Sequence, residues 1–182
     1  ASFLKEHSRS FTSVGISEDG IAGVNLSMGG GHSFQIGSIK VGRSYFPTLG
    51  LQPMLGRNFT AEEGLPNGPK AVLLSYGLWK RQFNGDVGVV NRVVRINEEP
   101  YTVVGVMPPS LADTGQSAPG VAATVGVWQP LQLDAKDPGY GGDNYKMVAR
   151  LREGVSVAQA QQELSSLNKP FYQEFPNYLK WT

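Results

Sequence analysis

What most constrains this chain is a succession of short alternating or β-branched runs, cut apart every few positions by turn residues. Between Val14 and Val41 stand VGISE, AGVNLSM and FQIGSIKV, broken at Asp19-Gly20 and at Gly29-Gly30-Gly31. Alternation gives a strand one face for a core and one for water, and glycine accepts positive φ at no steric cost. A three-strand meander is therefore predicted here. Arg92 to Ile96 and Tyr101 to Met107 are β-branched runs flanking Asn97-Glu98-Glu99-Pro100, the pattern of a hairpin. Val72 to Leu74 reads as a short buried strand, and Val125 to Leu133 and Tyr145 to Leu151 as two more. Apolar runs such as Val121 to Trp128, with its glycine and threonine, fall far short of the roughly 20 residues a membrane helix needs. The chain itself is expected to be soluble.

Helical signals are fewer. Phe3, Leu4 and Phe11, with Ser8, have the spacing of a short amphipathic helix over residues 2–12, ended by Gly15. Tyr45 to Leu49 suggests one turn of helix stopped by Gly50, after which Pro53 and Gly56 direct a compact loop. Ser75 is placed to cap a helix from Tyr76 to Phe83, in which Leu78, Trp79 and Phe83 share one face. Ser156 opens the last helix with a capping box, since Gln159 three residues on can return a hydrogen bond to the cap backbone. Val157, Ala160, Leu164, Leu167 and Phe171 follow at helical spacing with a core to enter, and Pro170 is expected to kink or end the helix. The acidic, glycine-rich stretch Glu62 to Pro69 reads as an exposed connection, and Ser110 to Thr124 and Asp134 to Asp143 as loops. Together these signals predict an α+β fold, with helices on one side of mixed sheets.

The 182 residues suffice for one sizeable domain or for two subdomains sharing a core, and 40% hydrophobic residues support a folded body. Sixteen basic against fifteen acidic residues, scattered along the chain, provide no basic stripe for nucleic acid. With no cysteine there is neither a disulfide framework nor a thiolate metal site. The chain opens without the basic and apolar regions of a signal peptide.

Few residues present themselves for chemistry. His7 and His32 are the only histidines, and neither has a metal-spaced partner. No serine lies in a G-x-S-x-G elbow, so a hydrolase would require His7 or His32 to meet a serine and a carboxylate through the fold. Gly29-Gly30-Gly31-His32-Ser33 lacks the lysine and Ser/Thr ending of a phosphate loop, and a hairpin turn is the better reading. The adjacent carboxylates Glu62-Glu63 and Glu98-Glu99 cannot face one another across a cleft as glycosidase acid/base work demands, and are expected to be solvated. Tyr76, Trp79 and Phe83 could form a stacking platform for a ligand, but their place on one helix favours a core role. Gly50, Gly56 and Gly105 suit tight backbone approach or special dihedrals. No catalytic, metal or cofactor-binding residue is assigned, no cofactor is expected, and substrate-binding residues stay open.

Three stretches follow one another between Tyr45 and Pro108: YFPTLGLQPMLGRNF, VLLSYGLWKRQFNGD and VVRINEEPYTVVGVMP. Their pattern is carried by Tyr45, Phe46, Leu49, Gly50, Leu55, Gly56, Arg57 and Phe59, by Leu74, Ser75, Leu78, Trp79, Phe83, Gly85 and Asp86, and by Asn97, Val103 to Val106 and Pro108. VWQPL (Val127 to Leu131) and RLREGVSVAQAQQEL (Arg150 to Leu164) extend it. In that order the chain resembles the MacB-like periplasmic core domain, which ABC transporter permeases of macrolide-exporter type carry between two membrane helices. Asn91 and Glu98 depart from the pattern, standing where the family usually has glycine.

The resemblance implies a single periplasmic core domain over residues 1–182. Its porter-like βαβ subdomain would be drawn from about 1–40 and 143–182, with a β-rich subdomain of about 41–142 inserted. It implies a non-enzymatic role: coupling ATP-driven motion of membrane helices to export or periplasmic handling of substrate, at the extracytoplasmic face of the membrane. The implied partners are the parent's membrane helices, a separate ATP-binding domain or subunit, and a periplasmic adaptor or substrate. The isolated domain is expected to be monomeric, with residue 1 an artificial start and both chain ends at one pole. A free-standing small-ligand or peptide-binding module is the alternative; a hydrolase ranks below both.

Overall fold

A computed structural model describes residues 2–28, 32–109, 125–133 and 145–174. Its described elements run α1 (Ser2–His7), β1 (Phe11–Glu18), β2 (Ala22–Ser27), β3 (Ser33–Val41), α2 (Tyr45–Leu49), β4 (Leu55–Gly56), β5 (Ala71–Leu74), α3 (Tyr76–Gln82), β6 (Val93–Ile96), β7 (Glu99–Val106), β8 (Val125–Pro130), β9 (Tyr145–Leu151) and α4 (Val157–Glu174). The fold is α+β with one mixed sheet. Its pairings run β2-β6-β7-β5-β8-β3 and return from β3 to β2, so six strands close a ring. Within that ring β3 with β8 and β5 with β7 are parallel, and the other pairs are antiparallel. Beyond it, β3 bridges β1 at Ser17↔Val41, and β9 lies along β1 from Phe11↔Leu151 to Glu18↔Tyr145.

The ring explains why β5 reads AVLL without alternation. All four residues are buried because two hydrophobic clusters flank the strand. Val72 and Leu74 join Leu26, Leu78, Trp79, Phe83, Val103 and Val127 in one cluster, while Ala71 and Leu73 join Val41, Phe46, Phe59, Val104 and Trp128 in the other. A strand covered on both faces gains nothing from polar positions. α3 closes the first cluster. The Ser75 hydroxyl accepts from Leu78 N, Trp79 and Leu78 are buried, and the Trp79 indole N–H donates to the Asp86 carbonyl at 2.8 Å. α2 seats Tyr45 and Phe46 in the second cluster and stops at Gly50.

Two glycines of the motif have one cause. Gly56 and Gly105 face each other where β4 pairs with β7. A Cβ on Gly56 would lie 2.2 Å from the Val104 carbonyl oxygen, and one on Gly105 would lie 2.6 Å from the Leu55 carbonyl oxygen. Side chains cannot enter a contact this close. The turns at Asn91 and Glu98 keep the left-handed backbone that glycine would adopt freely, with φ of 69° and 68°.

Several sequence expectations are corrected. α1 ends at His7, and Gly15 lies inside β1. It is a glycine because α2 crosses there, with Tyr45 Cα 2.6 Å from the place of a Cβ. Of the meander only the β2–β3 hairpin forms as such; β1 takes β9 as its main neighbour. α4 continues through Pro170 to Glu174. Its apolar stripe is only partly covered: Ala160 is buried, but Val157 and Leu164 are 63% and 36% exposed. Glu63 is buried instead of solvated. Thr60 and Glu63 form a capping box, with Thr60 N donating to the Glu63 carboxylate at 2.8 Å and Glu63 N to the Thr60 hydroxyl at 3.2 Å, and Arg57 closes on the same carboxylate at 2.7 and 3.0 Å. Burial pushes the Glu63 carboxyl up, but the Arg57 and Thr60 hydrogen bonds outweigh it and hold it below the usual carboxylate range. The expected loops at 110–124 and 134–143 and the glycines 29–31 lie outside the described residues, as do Ala1 and Thr182.

Candidate functional site

The two ends of the described chain meet, and the route of the backbone explains why. β9 runs antiparallel to β1, so its last residues reach the start of β1, where Arg152 N donates to the Ser10 carbonyl at 2.8 Å. The chain then turns, and Ser156 and Gln159 exchange both bonds of a capping box: Ser156 N to Gln159 Oε1 at 2.8 Å, and Gln159 N to Ser156 Oγ at 3.2 Å. α4 therefore starts beside the α1–β1 junction. About two turns along it, roughly 10 Å at 1.5 Å per residue, Glu163 faces that junction. Its carboxylate accepts from Ser8 Oγ at 2.6 Å, Arg9 N at 2.8 Å and Ser10 N at 3.0 Å. The hydrogen bonds from Ser10, Ser8 and Arg9 hold the Glu163 carboxyl down at about 2.

Aromatic contacts extend the junction toward the ends. Phe3 is buried, stacks on His7 at 4.2 Å and meets Phe171 of α4 edge-on at 5.3 Å. His7 Nε2 lies 3.9 Å from the Glu174 carboxylate, and His7 Nδ1 is 3.0 Å from the Phe3 carbonyl. A six-residue helix is too short to persist by its own hydrogen bonds. α1 is held by what it packs against.

A second feature is a polar cleft of about 330 Å³ between the end of β1, the start of β9 and the ring. Glu18 pairs with Lys40 at 3.2 Å on one side, and Lys70 with Glu99 at 2.7 Å on the other. Gln129, buried in the floor, accepts from Ser38 Oγ at 2.8 Å. Among the described lining residues the charges cancel in pairs.

The residues considered for chemistry do not assemble. His32 is exposed, and His7 is engaged with Phe3 and Glu174. Among the described residues no group of His, Asp or Glu could hold a metal ion. Tyr76, Trp79 and Phe83 serve the core, with Lys80 Nζ 4.7 Å over the Trp79 ring. Glu98 is exposed in its turn, and Glu99 starts β7. Gly50 lies under the Arg150 guanidinium, whose Nε donates to the Thr48 carbonyl at 2.9 Å. Sequence reasoning missed Glu163, named Arg57 only as part of the motif, and read Glu63 as solvated. Thr60-x-x-Glu63 was a legible capping signal, whereas Glu163 meets its donors across more than 150 residues and carries none.

The chain belongs to the family of the MacB-like periplasmic core domain, whose profile matches residues 9–167. It is thus a periplasmic domain of an ABC transporter permease, from a family that is non-catalytic. Among solved structures, it is similar to the periplasmic region of MacB from Actinobacillus actinomycetemcomitans, with a TM-score of 0.64 and 18% identity over 94% of this chain and 73% of that one. A permease-protein domain from Porphyromonas gingivalis gives 0.64 and 17% over 93% and 75%. The extracellular domain of the noncanonic ABC-type transporter YknZ from Gram-positive bacteria gives 0.56 and 16% over 89% and 74%. No curated protein matches in sequence. No described helix is long and apolar enough to cross a membrane.

Proposed function

We propose that this domain is the non-catalytic coupling element of its permease: motion of membrane helices, driven by ATP hydrolysis on the far side of the membrane, enters at the chain ends and is delivered to the strand ring. There it moves substrate outward or presents it to a periplasmic adaptor. The observation that carries this reading is the meeting of α1 and α4, through Phe3 with Phe171 and His7 with Glu174. Chain ends that descend to adjacent membrane helices require this placement, and a free-standing enzyme does not. Proximity of ends is common in domains, so family membership and this contact support the reading jointly.

In the same proposal the domain divides into a porter-like part, about 1–40 and 143–182, and an inserted part, about 41–142. The β1–β9 pairing and the α1–α4 contact, which join the two outer segments, support that division. No activity is assigned to His7 or His32, and the isolated domain is taken to be monomeric. The test is the topology of the parent protein: membrane helices flanking this domain on both sides support the proposal, and their absence overturns it.

The polar cleft favours a second reading, a module for a small ligand or peptide. A thermal-shift screen of peptides and small polar molecules tests it, with stabilisation lost when Lys40 and Lys70 are replaced.

A further inference from the structure

We propose that Glu163 is the positioning residue that fastens α1 to α4, so that the two chain-end helices move as one body. Where α1 gives way to β1, the backbone N–H groups of Arg9 and Ser10 leave helical pairing and need acceptors. One carboxylate supplies them, and takes the Ser8 hydroxyl as well. A charged acceptor facing three converging donors fixes direction as well as distance. The aromatic contact of Phe3 with Phe171 lacks that directionality and allows sliding.

The position of Glu163 gives the fastening mechanical meaning. α4 is held by its own capping box and by the turn that bonds Arg152 to Ser10. Through Glu163, the six residues of α1 acquire an anchor they cannot provide themselves. A pull on α1 therefore reaches α4 directly and reaches the ring through β1 and β3. Without Glu163, α1 would keep only the contacts of Phe3 and His7 with α4 and would pivot at Ser8 and Arg9, just ahead of the point where Ser10 is bonded to Arg152. The role assigned to this fastening rests on the coupling proposal; its existence does not.

The chain has no cysteine, so spin labels can be placed at will. Labels at Glu6→Cys and Lys169→Cys, both exposed sites, report the α1–α4 distance; labels at Lys169→Cys and exposed Arg81→Cys report α4 against the ring as a control. The wild-type chain is expected to give one narrow α1–α4 distance. Glu163→Ala should broaden it while leaving the control pair narrow, and Glu163→Gln, which keeps one carbonyl oxygen, should fall between. A residue that merely stabilised the fold would broaden both pairs together, and that result overturns the proposal, as does a narrow α1–α4 distance in Glu163→Ala. If the broadening is found but nucleotide never moves α1 in the membrane-embedded permease, the coupling proposal fails and the fastening stands.

Discussion

Trp79 fills the space between α3 and the strand ring: the residue is 4% exposed and its indole N–H is bonded to the Asp86 carbonyl. Trp79→Ala is expected to cost about 3–5 kcal/mol in chemical denaturation; a variant that unfolds with wild type would reopen the ligand-platform reading. Glu98 presents the opposite case, a side chain held at φ 68° where glycine would sit without strain. Glu98→Gly should raise stability by about 0.5–1 kcal/mol, because relief of the left-handed penalty exceeds the added freedom of the unfolded chain. No gain in midpoint would show that the turn is unstrained. Trp79 was legible because a large aromatic on the apolar face of a capped helix has few other uses. The Arg57–Glu63 pair was not, since charge alone suggests solvent; the Thr60-x-x-Glu63 spacing marks a capping box but says nothing of Arg57.

Among the elements, α4 states its beginning in sequence and hides its docking. Ser156 and Gln159 form the capping box their spacing predicts, so Ser156→Ala should lower stability by about 1 kcal/mol in thermal unfolding. An unchanged melting temperature would mean the cap is frayed in solution. The apolar stripe was misleading: helical periodicity says which residues share a face, but not whether another element covers it, and Val157 stays exposed. Pro170 likewise did not end the helix.

Glu163 gives the docking of α4 a pH dependence whose sign is fixed. Its carboxyl is held at about 2 in the folded chain against 4.5 unfolded, so its contribution is complete above pH 4.5 and disappears as pH falls toward 2. Among the described residues, the titratable and charged side chains carried by this junction are His7, Arg9 and Glu174. The stability difference between wild type and Glu163→Gln should therefore be largest near neutrality and close over that interval. A difference independent of pH would show that the carboxylate's charge is not what holds the junction.

At the scale of the whole molecule, the α+β class and most strand positions were legible, because β-branched runs and glycine turns are local signals. The closed ring was not. Its closure depends on β2 meeting β6 and β3 meeting β8, pairings between segments more than 65 residues apart that no local pattern specifies. The meeting of α1 with α4 belongs to the same class: no periodicity specifies it, and the expectation that the chain ends share one pole came from the family resemblance. It is also where the proposed function is most exposed to test. The measurement is the distance between spin labels at Glu6→Cys in α1 and Arg81→Cys in α3, made in the full permease in lipid discs with its ATP-binding unit, in an otherwise cysteine-free background. The coupling proposal predicts that this distance shifts between the nucleotide-free and ATP-bound states. A distribution identical in both states would contradict it.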